Sequence, residues 1–190
     1  MRHQWHTIDA RAVESIQVFY EKLAPSLRQA HVTARDRHVP LVPARMGRTY
    51  RLGRLRLRIL WPDHAGSPGE NPHLHGAVIL ATFGAVDLLL TGDSESEVTR
   101  RLPLRPVEVL KVAHHGSSDP VLADELRTLR PLVAVISVGA HNDYGHPRAD
   151  TLAALRARHG LRVFRTDEDG RIVLESDGRT LTVRTERRVR

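Results

Sequence analysis

The fold of this chain is decided by residues 88–118, which read LLLTGDSESEVTRRLPLRPVEVLKVAHHGSS. Two apolar runs of strand length lie in this stretch, at residues 88–91 and 107–112, and each ends in a short polar loop. A helix-start signal follows each loop. The stretch therefore predicts a unit of strand, loop and helix that occurs twice in succession.

The helix starts are indicated by residue type. Ser94 and Glu97 have the spacing of a capping box, and Asp119 precedes a proline at the first helical position. A third unit begins with an apolar strand at 132–138 and continues through the polar loop 139–147 into a helix. Three such units favour an α/β fold.

The regions on either side predict further strands. Residues 77–83 and 86–90 are typical of a hairpin in the middle of a sheet, and residues 50–61 of one half-buried strand with a basic outer face. That outer face would carry Arg54, Arg56 and Arg58. Short strands are also predicted at 161–165, 171–175 and 180–184, with Asp-Gly turns at 169–170 and 177–178.

The 190 residues fit a single domain, 1–190. Residues 1–46 read as a helical N-terminal segment, in which Asp9 caps a helix that continues to Ala24. The first six residues lack the apolar region of a signal peptide, and the most apolar stretch is too short to cross a bilayer. The sequence therefore predicts a soluble chain.

The charge and the histidine content indicate an anionic partner and a metal. The 29 basic residues exceed the 22 acidic ones by seven, and nearly all of them are arginine, which suits DNA. An arginine-rich proteome with a solvated basic face is the more ordinary explanation of this charge. The chain has no cysteine, which excludes a disulfide-linked partner and thiolate ligands. Any metal must therefore bind to His, Asp or Glu, and there are 12 histidines.

The candidate metal ligands follow the ends of the predicted strands. They are Asp93, His114, His115 and His146. Loops at the carboxyl ends of neighbouring strands bring side chains together, and carboxylate with imidazole suits a divalent metal. For each residue an ordinary role stays open: Asp93 as a turn or capping residue, the histidine pair bonded to backbone, and His146 as a turn residue.

A candidate phosphate site lies in the same region. Gly116, Ser117 and Ser118 precede a predicted helix, and backbone amides at a helix start bind phosphate. Lys111 can offset the charge of a bound phosphodiester, although an exposed lysine with no such role is the ordinary expectation.

Five linked motifs resemble one family in order and spacing. They lie at 88–93, 109–117, 136–139, 142–147 and 163–170. Together they resemble the carboxyl-terminal metallo-β-lactamase-like domain of the ComEC/Rec2 DNA-internalisation competence proteins, over roughly residues 47–183.

The resemblance implies a metallo-β-lactamase-like αββα sandwich, joined in the complete proteins to a membrane channel for DNA and lying outside the cytoplasmic membrane. It implies a nuclease that uses a divalent metal, zinc or manganese. Asp93 would bridge two metals and His115, or His114, with His146 would be the late histidines of the site. Asp93 and His115 would be the catalytic residues.

One part of the family pattern is absent. No His-x-His-x-Asp-His motif precedes the matched region, and a His-x-His pair at His73 and His75 is the nearest substitute. Two or three ligands do not hold a metal pair. The chain is then either the carboxyl-terminal part of a longer protein or a member without a complete site. A non-catalytic DNA-binding or channel-supporting module and a small-molecule phosphodiesterase remain the alternatives.

Overall fold

The computed structural model describes residues 6–9, 33–34, 36–38, 44–64 and 72–187, which form two β-sheets and several short helices. The strands in chain order are β1 (His6–Asp9), β2 (Thr49–Leu52), β3 (Leu55–Trp61), β4 (Val78–Phe83), β5 (Val86–Leu90), β6 (Val109–Lys111), β7 (Val133–Ile136), β8 (Arg162–Arg165), β9 (Ile172–Ser176) and β10 (Leu181–Thr185).

The α-helices of the described residues are short. They are α1 (Ser96–Thr99), α2 (Leu122–Leu129), α3 (Ala149–Arg156) and α4 (Thr166–Asp169). Two 3₁₀ turns, Pro72–His75 and Ala113–Gly116, lie in the loops before β4 and after β6.

The larger sheet has seven strands in the order β2-β3-β4-β5-β6-β7-β8. Strands β2 to β5 pair antiparallel, whereas β5 to β8 pair parallel. The parallel half is apolar without alternation because both of its faces are covered, as buried parallel strands require. Since β5, β6 and β7 run in the same direction, the loops that follow them meet at one edge of the sheet.

Two hydrophobic cores lie on opposite faces of this sheet. On one face, Leu89 and Leu110 pack with Val98, Leu126 and Leu155 from the helical side. On the other face, a second set of side chains packs against the smaller antiparallel sheet of β1, β9 and β10. That set includes Leu88, Val109, Val135, Phe164 and Leu174.

The predicted α/β fold is confirmed. Two sheets face each other and helices cover the outer face of the larger one. Of the αββα arrangement, the described residues include the two sheets and this one helical layer.

Several local predictions were right and others were wrong. The hairpin is confirmed, with Phe83 opposite Val86 and Gly84 at φ 62°. Residues 50–61 are two strands rather than one, because the chain turns at Gly53, where φ is 59°. The predicted 169–170 turn is instead the end of the short helix α4, which Gly170 terminates at φ 70°.

The predicted helix starts are displaced. Helix α1 begins at Ser96 behind Glu95, not at the Ser94 capping box. Helix α2 begins at Leu122, because Asp119 accepts hydrogen bonds from the Val121 and Ser96 amides and so ties the loop to α1. The predicted helix from Asp9 to Ala24 lies outside the described residues except for Asp9, which ends strand β1.

Candidate functional site

Three loops meet at the carboxyl ends of the parallel strands. Asp93 follows β5, the pair His114 and His115 follows β6, and His146 lies in the loop after β7. The register of these strands aligns Leu90 with Lys111 and therefore brings the first two loops side by side. Four residues that the sequence singled out are thereby gathered at one edge of the sheet.

Asp93 and His115 form the centre of this group. The Asp93 Oδ1 atom lies 4.0 Å from His115 Nε2, and both side chains are largely buried, at 9% and 16% exposure. His115 Nδ1 lies 2.7 Å from the carbonyl oxygen of Ser137. A carbonyl only accepts, so Nδ1 carries the proton and Nε2 turns its lone pair towards Asp93.

A second carboxylate and imidazole pair stands beside the first. His114 Nδ1 lies 2.8 Å from Glu95 Oε1, and the ring of His114 lies 5.6 Å from the ring of His146. Tyr144 stacks on His146 with a ring separation of 6.0 Å. Burial lowers the pKa of His146, and the neighbouring His114 and Arg148 lower it further. Glu95 is thus a member of the site that sequence reasoning missed, since it lies 19 residues from the histidine it contacts.

The backbone of the histidine loop is strained. His114 and His115 have φ values of 44° and 55°, and Gly116 follows at 82°. A left-handed conformation costs about 1–2 kcal/mol for a residue other than glycine. Two such residues in succession persist only where the surroundings hold them, and strain of this kind clusters at functional sites.

Close packing between two loops holds this conformation. A Cβ atom added at Gly116 would lie 2.6 Å from Pro147 Cβ. The Gly116 carbonyl also accepts a hydrogen bond from the Arg148 amide at 2.8 Å. The loops after β6 and β7 therefore pack against each other at Gly116, the residue that follows the two histidines.

A cavity of about 230 Å³ opens beside Asp93. Its lining is mixed, with Leu74 and Val98 on the apolar side and Glu95, Glu97, His114 and Ser117 on the polar side. The cavity is large enough for several waters or one phosphate-sized group.

Lys111 is not exposed, contrary to the ordinary expectation for a lysine. Only 3% of the residue is accessible, and its Nζ donates to the Gly92 carbonyl at 3.1 Å. Because β6 lies inside the sheet, the ammonium is directed at the loop that carries Asp93. A direct contact of Lys111 with phosphate stays a prediction, and the visible role is to hold that loop.

The three predicted phosphate-binding residues are engaged within the loop. The Ser117 amide donates to the His114 carbonyl at 2.9 Å, and Ser118 hydrogen bonds to Asp150. Helix α2 begins four residues after Ser118, so these amides do not form its first turn. Phosphate binding by Gly116, Ser117 and Ser118 stays a prediction.

A ligand role for His73 and His75 stays a prediction, and His75 lies in the 3₁₀ turn before β4. The ring of His75 contacts the ring of His64 edge to face at 5.2 Å. The side chain of His73 lies outside the described residues.

The donor set fits a divalent metal in kind but not in number. Zinc bound by nitrogen and oxygen at about 2.1 Å in tetrahedral geometry places two ligands about 3.4 Å apart, which is close to the Asp93 to His115 separation. A catalytic zinc site nevertheless takes three protein ligands. Among the described residues, no three His, Asp or Glu side chains are grouped closely enough to hold an ion.

Comparisons with known proteins identify relatives. The chain is 33% identical to ComE operon protein 3 of Bacillus subtilis (strain 168) over 143 residues, which cover 73% of this chain and 18% of that protein. It is 33% identical to Recombination protein 2 of Haemophilus influenzae Rd over 128 residues, covering 66% and 16%. The chain thus spans less than a fifth of the length of these curated relatives.

Comparisons with family models and solved structures add less. No protein-family model matches the chain. A crystal structure described as a metal-dependent hydrolase from Parabacteroides distasonis is 14% identical, with a TM-score of 0.47, covering 71% of this chain and 61% of that one. None of the helices in the described part of the chain is both long and apolar enough to cross a membrane.

Proposed function

Because this chain belongs to the ComEC/Rec2 family of competence proteins, we propose that it is the metallo-β-lactamase-like part of a DNA-uptake protein and hydrolyses DNA phosphodiesters. The observation that carries this proposal is the Asp93 and His115 pair, which two strand ends bring to 4.0 Å beside a cavity. Residues 47–183 of the single domain form the hydrolase region in this proposal.

The chain's own residues supply proton-accepting groups at that point. His115 Nδ1 donates to the Ser137 carbonyl, so Nε2 is the ring nitrogen that can accept a proton. In hydrolysis a water oxygen bonds to phosphorus, the bond from phosphorus to one sugar oxygen breaks, and the proton lost by the water passes to a base. The departing sugar oxygen takes up a proton from the protonated base or from solvent and leaves as an alcohol. In this proposal His115 Nε2 is that base, and the Asp93 carboxylate stabilises the imidazolium that forms.

In this proposal the chain acts as a nuclease that uses a divalent metal, either zinc or manganese. The described residues alone do not make a complete metal site. No step of the reaction is therefore assigned to the ion.

The family supports a proposal for the place of action. The channel portion of the complete competence protein is the proposed partner, with this domain at the outer face of the cytoplasmic membrane. DNA is the proposed substrate, and the net charge of +7 supports an anionic polymer.

A cleavage assay tests the proposal. The full chain, stripped with EDTA, is incubated with labelled single- or double-stranded DNA and either Mn²⁺ or Zn²⁺. We expect metal-dependent cutting that falls about 100-fold or more in Asp93→Asn and in His115→Gln. Asp124→Asn and His159→Gln are matched controls, since both residues are exposed and lie elsewhere. Unchanged cutting in Asp93→Asn, or no cutting by the unmodified chain with either ion, overturns the proposal.

A second candidate has one observation in its favour. The described residues lack a complete set of metal ligands, which suits a non-catalytic module that binds DNA or supports the channel. DNA binding with no cutting and no stoichiometric metal would favour this candidate.

A further inference from the structure

We infer that an arginine track along β2 and β3 binds the phosphate backbone of DNA and leads it towards Asp93. The track consists of Arg51, Arg56 and Arg58 on these strands, and Arg101, which follows helix α1, extends it. All four residues are exposed. The inference rests on the proposed function only in taking DNA as the polymer. It assigns a binding surface outside the three loops that carry the candidate site.

The strand register places the arginine residues in order along the sheet. Arg51 lies opposite Arg56, and Arg56 lies opposite Thr82, so these residues share one face and one row of the sheet. Arg58 lies one row further along, opposite Leu80. Leu80 is in turn opposite Leu89. The step from Arg56 to Arg58 therefore runs in the direction of β5, whose carboxyl end leads to Asp93.

Contacts beyond Arg58 continue towards the cavity. The guanidinium of Arg101 lies over the Trp61 ring at 5.8 Å. Trp61 Nε1 donates to the Leu74 carbonyl, and Leu74 lines the cavity beside Asp93. The basic surface and the candidate site thus lie on one path.

The strand is held so that the arginines stay in place. Leu55 and Leu57 alternate with Arg56 and Arg58 and pack into the core between the sheets. Ile59 is buried as well. The arginines are therefore displayed from a rigid strand, which suits recognition of a repeating backbone.

Some arginines of the described residues already have a carboxylate partner, and the arginines of β2 and β3 do not. Arg105, Arg165 and Arg184 each form an ion pair with a neighbouring carboxylate. Arg51, Arg56 and Arg58 form no ion pair with any carboxylate of the described residues. Arg51 and Arg56 lie directly opposite each other in the sheet. Like charges in such a pair destabilise a sheet. A phosphate polymer would relieve that repulsion and supply the missing counter-charge.

Salt-dependent DNA binding tests the inference. The variant carries Arg51→Gln, Arg56→Gln and Arg58→Gln in the full chain, and the probe is a fluorescent single-stranded oligonucleotide. Each lost phosphate contact on single-stranded DNA lowers the slope of log affinity against log salt by about 0.7. Three contacts therefore lower the slope by about 2 and weaken binding by up to about 100-fold near 0.1 M salt.

The control has the same change in net charge. Arg127→Gln, Arg156→Gln and Arg179→Gln remove three exposed arginines elsewhere. A loss of affinity in the track variant, with the control close to the unmodified chain, supports the inference. Equal losses in both variants, or no binding by the unmodified chain, overturn it.

Two further outcomes separate this inference from its rivals. Charged residues on an edge strand also prevent strands of two molecules from pairing. If the track variant aggregates while its monomer binds DNA normally, the arginines protect the edge and the inference is wrong. If the unmodified chain binds DNA without cutting it, and the track variant loses that binding, the proposed function fails and this inference stands.

Discussion

Two aspartates of the β5 region are equally buried but differ in their position along the strand and in their contacts. Asp87 lies near the amino end of β5 and Asp93 lies just beyond its carboxyl end, and each is 8% exposed. Asp87 accepts a hydrogen bond from Thr82 Oγ1 at 2.5 Å and pairs with Arg105 at 2.8 Å. Asp93 instead faces His115 Nε2 at 4.0 Å across a strained loop and lines a cavity.

The comparison shows that two equally buried carboxylates can have different neighbours, a hydroxyl and a guanidinium for Asp87 and an imidazole for Asp93. At the amino end a hydroxyl and a guanidinium are bound directly to Asp87. At the carboxyl end the His115 imidazole lies 4.0 Å from the Asp93 carboxylate, beyond hydrogen-bond distance, and Asp93 lines the cavity. Loops at the carboxyl ends of strands carry function in α/β sheets for this reason.

The largest expected effect is a contrast between the two aspartates in catalysis. Asp93→Asn should lower metal-dependent DNA cutting about 100-fold or more, whereas Asp87→Asn should leave the rate per folded molecule unchanged. In urea unfolding the order reverses, because Asp87→Asn disturbs two bonds and should lose about 1–3 kcal/mol of unfolding free energy. Equal rates in the two variants would break the comparison.

The next effect concerns the packing behind the histidines. Gly116→Ala places a Cβ 2.6 Å from Pro147 at a φ of 82°, and should lower the free energy of unfolding by about 2–3 kcal/mol. Gly139→Ala is the matched control, because nothing lies within 4 Å of its added Cβ. Thermal unfolding measures both, and similar Tm values would show that the two loops are not locked at Gly116.

A pH effect of comparable size is expected from Glu125. Burial raises the pKa of Glu125 to about 7 from an ordinary 4.5, Asp119 and Glu95 raise it further, and hydrogen bonding to Thr99 opposes the rise. The folded state therefore binds the proton more tightly than the unfolded state. Stability from this group is complete below about pH 4.5 and is lost as pH rises to about 7, by about 3 kcal/mol at most.

Urea unfolding of Glu125→Gln across this range checks the effect. The variant should be less sensitive to pH between 4.5 and 7 than the unmodified chain. Asp124→Asn, an exposed neighbour on the same helix, should leave the pH dependence intact.

The smallest effect is expected at the surface ion pair of the amino end. Arg105→Gln removes the guanidinium from Asp87, but the Arg105 side chain is 54% exposed. Such pairs contribute about 1 kcal/mol or less. Denaturation at low and high salt should show a small loss that salt reduces, and a loss above 2 kcal/mol would mean that Asp87 depends on Arg105 far more than its exposure suggests.

Much of the fold was predictable because it depends on local patterns. The hairpin of β4 and β5 follows from two apolar runs around Gly84, whose φ of 62° suits glycine. The prediction of one strand over 50–61 was wrong. Apolar and basic residues alternate on both sides of the turn at Gly53, and this alternation is the same whether the chain continues straight or reverses its direction.

The site was predictable in its residue types and not in its contacts. Asp93, His115 and His146 were identified because polar residues after apolar strands gather at one sheet edge. Burial of Lys111 was missed, since a lysine is ordinarily exposed and only its place inside the sheet directs its ammonium to Gly92.

The sequence by itself determined the order of strands, loops and helices and the family to which they belong, because hydrophobic period and loop residue types act between near neighbours. Only the tertiary structure decided that Asp93 stands 4.0 Å from His115, that Glu95 bonds to His114 and that three β-strand arginines line up towards the site. These contacts join residues far apart in the chain, and their distances depend on how strands pair and how loops pack, which no local pattern encodes.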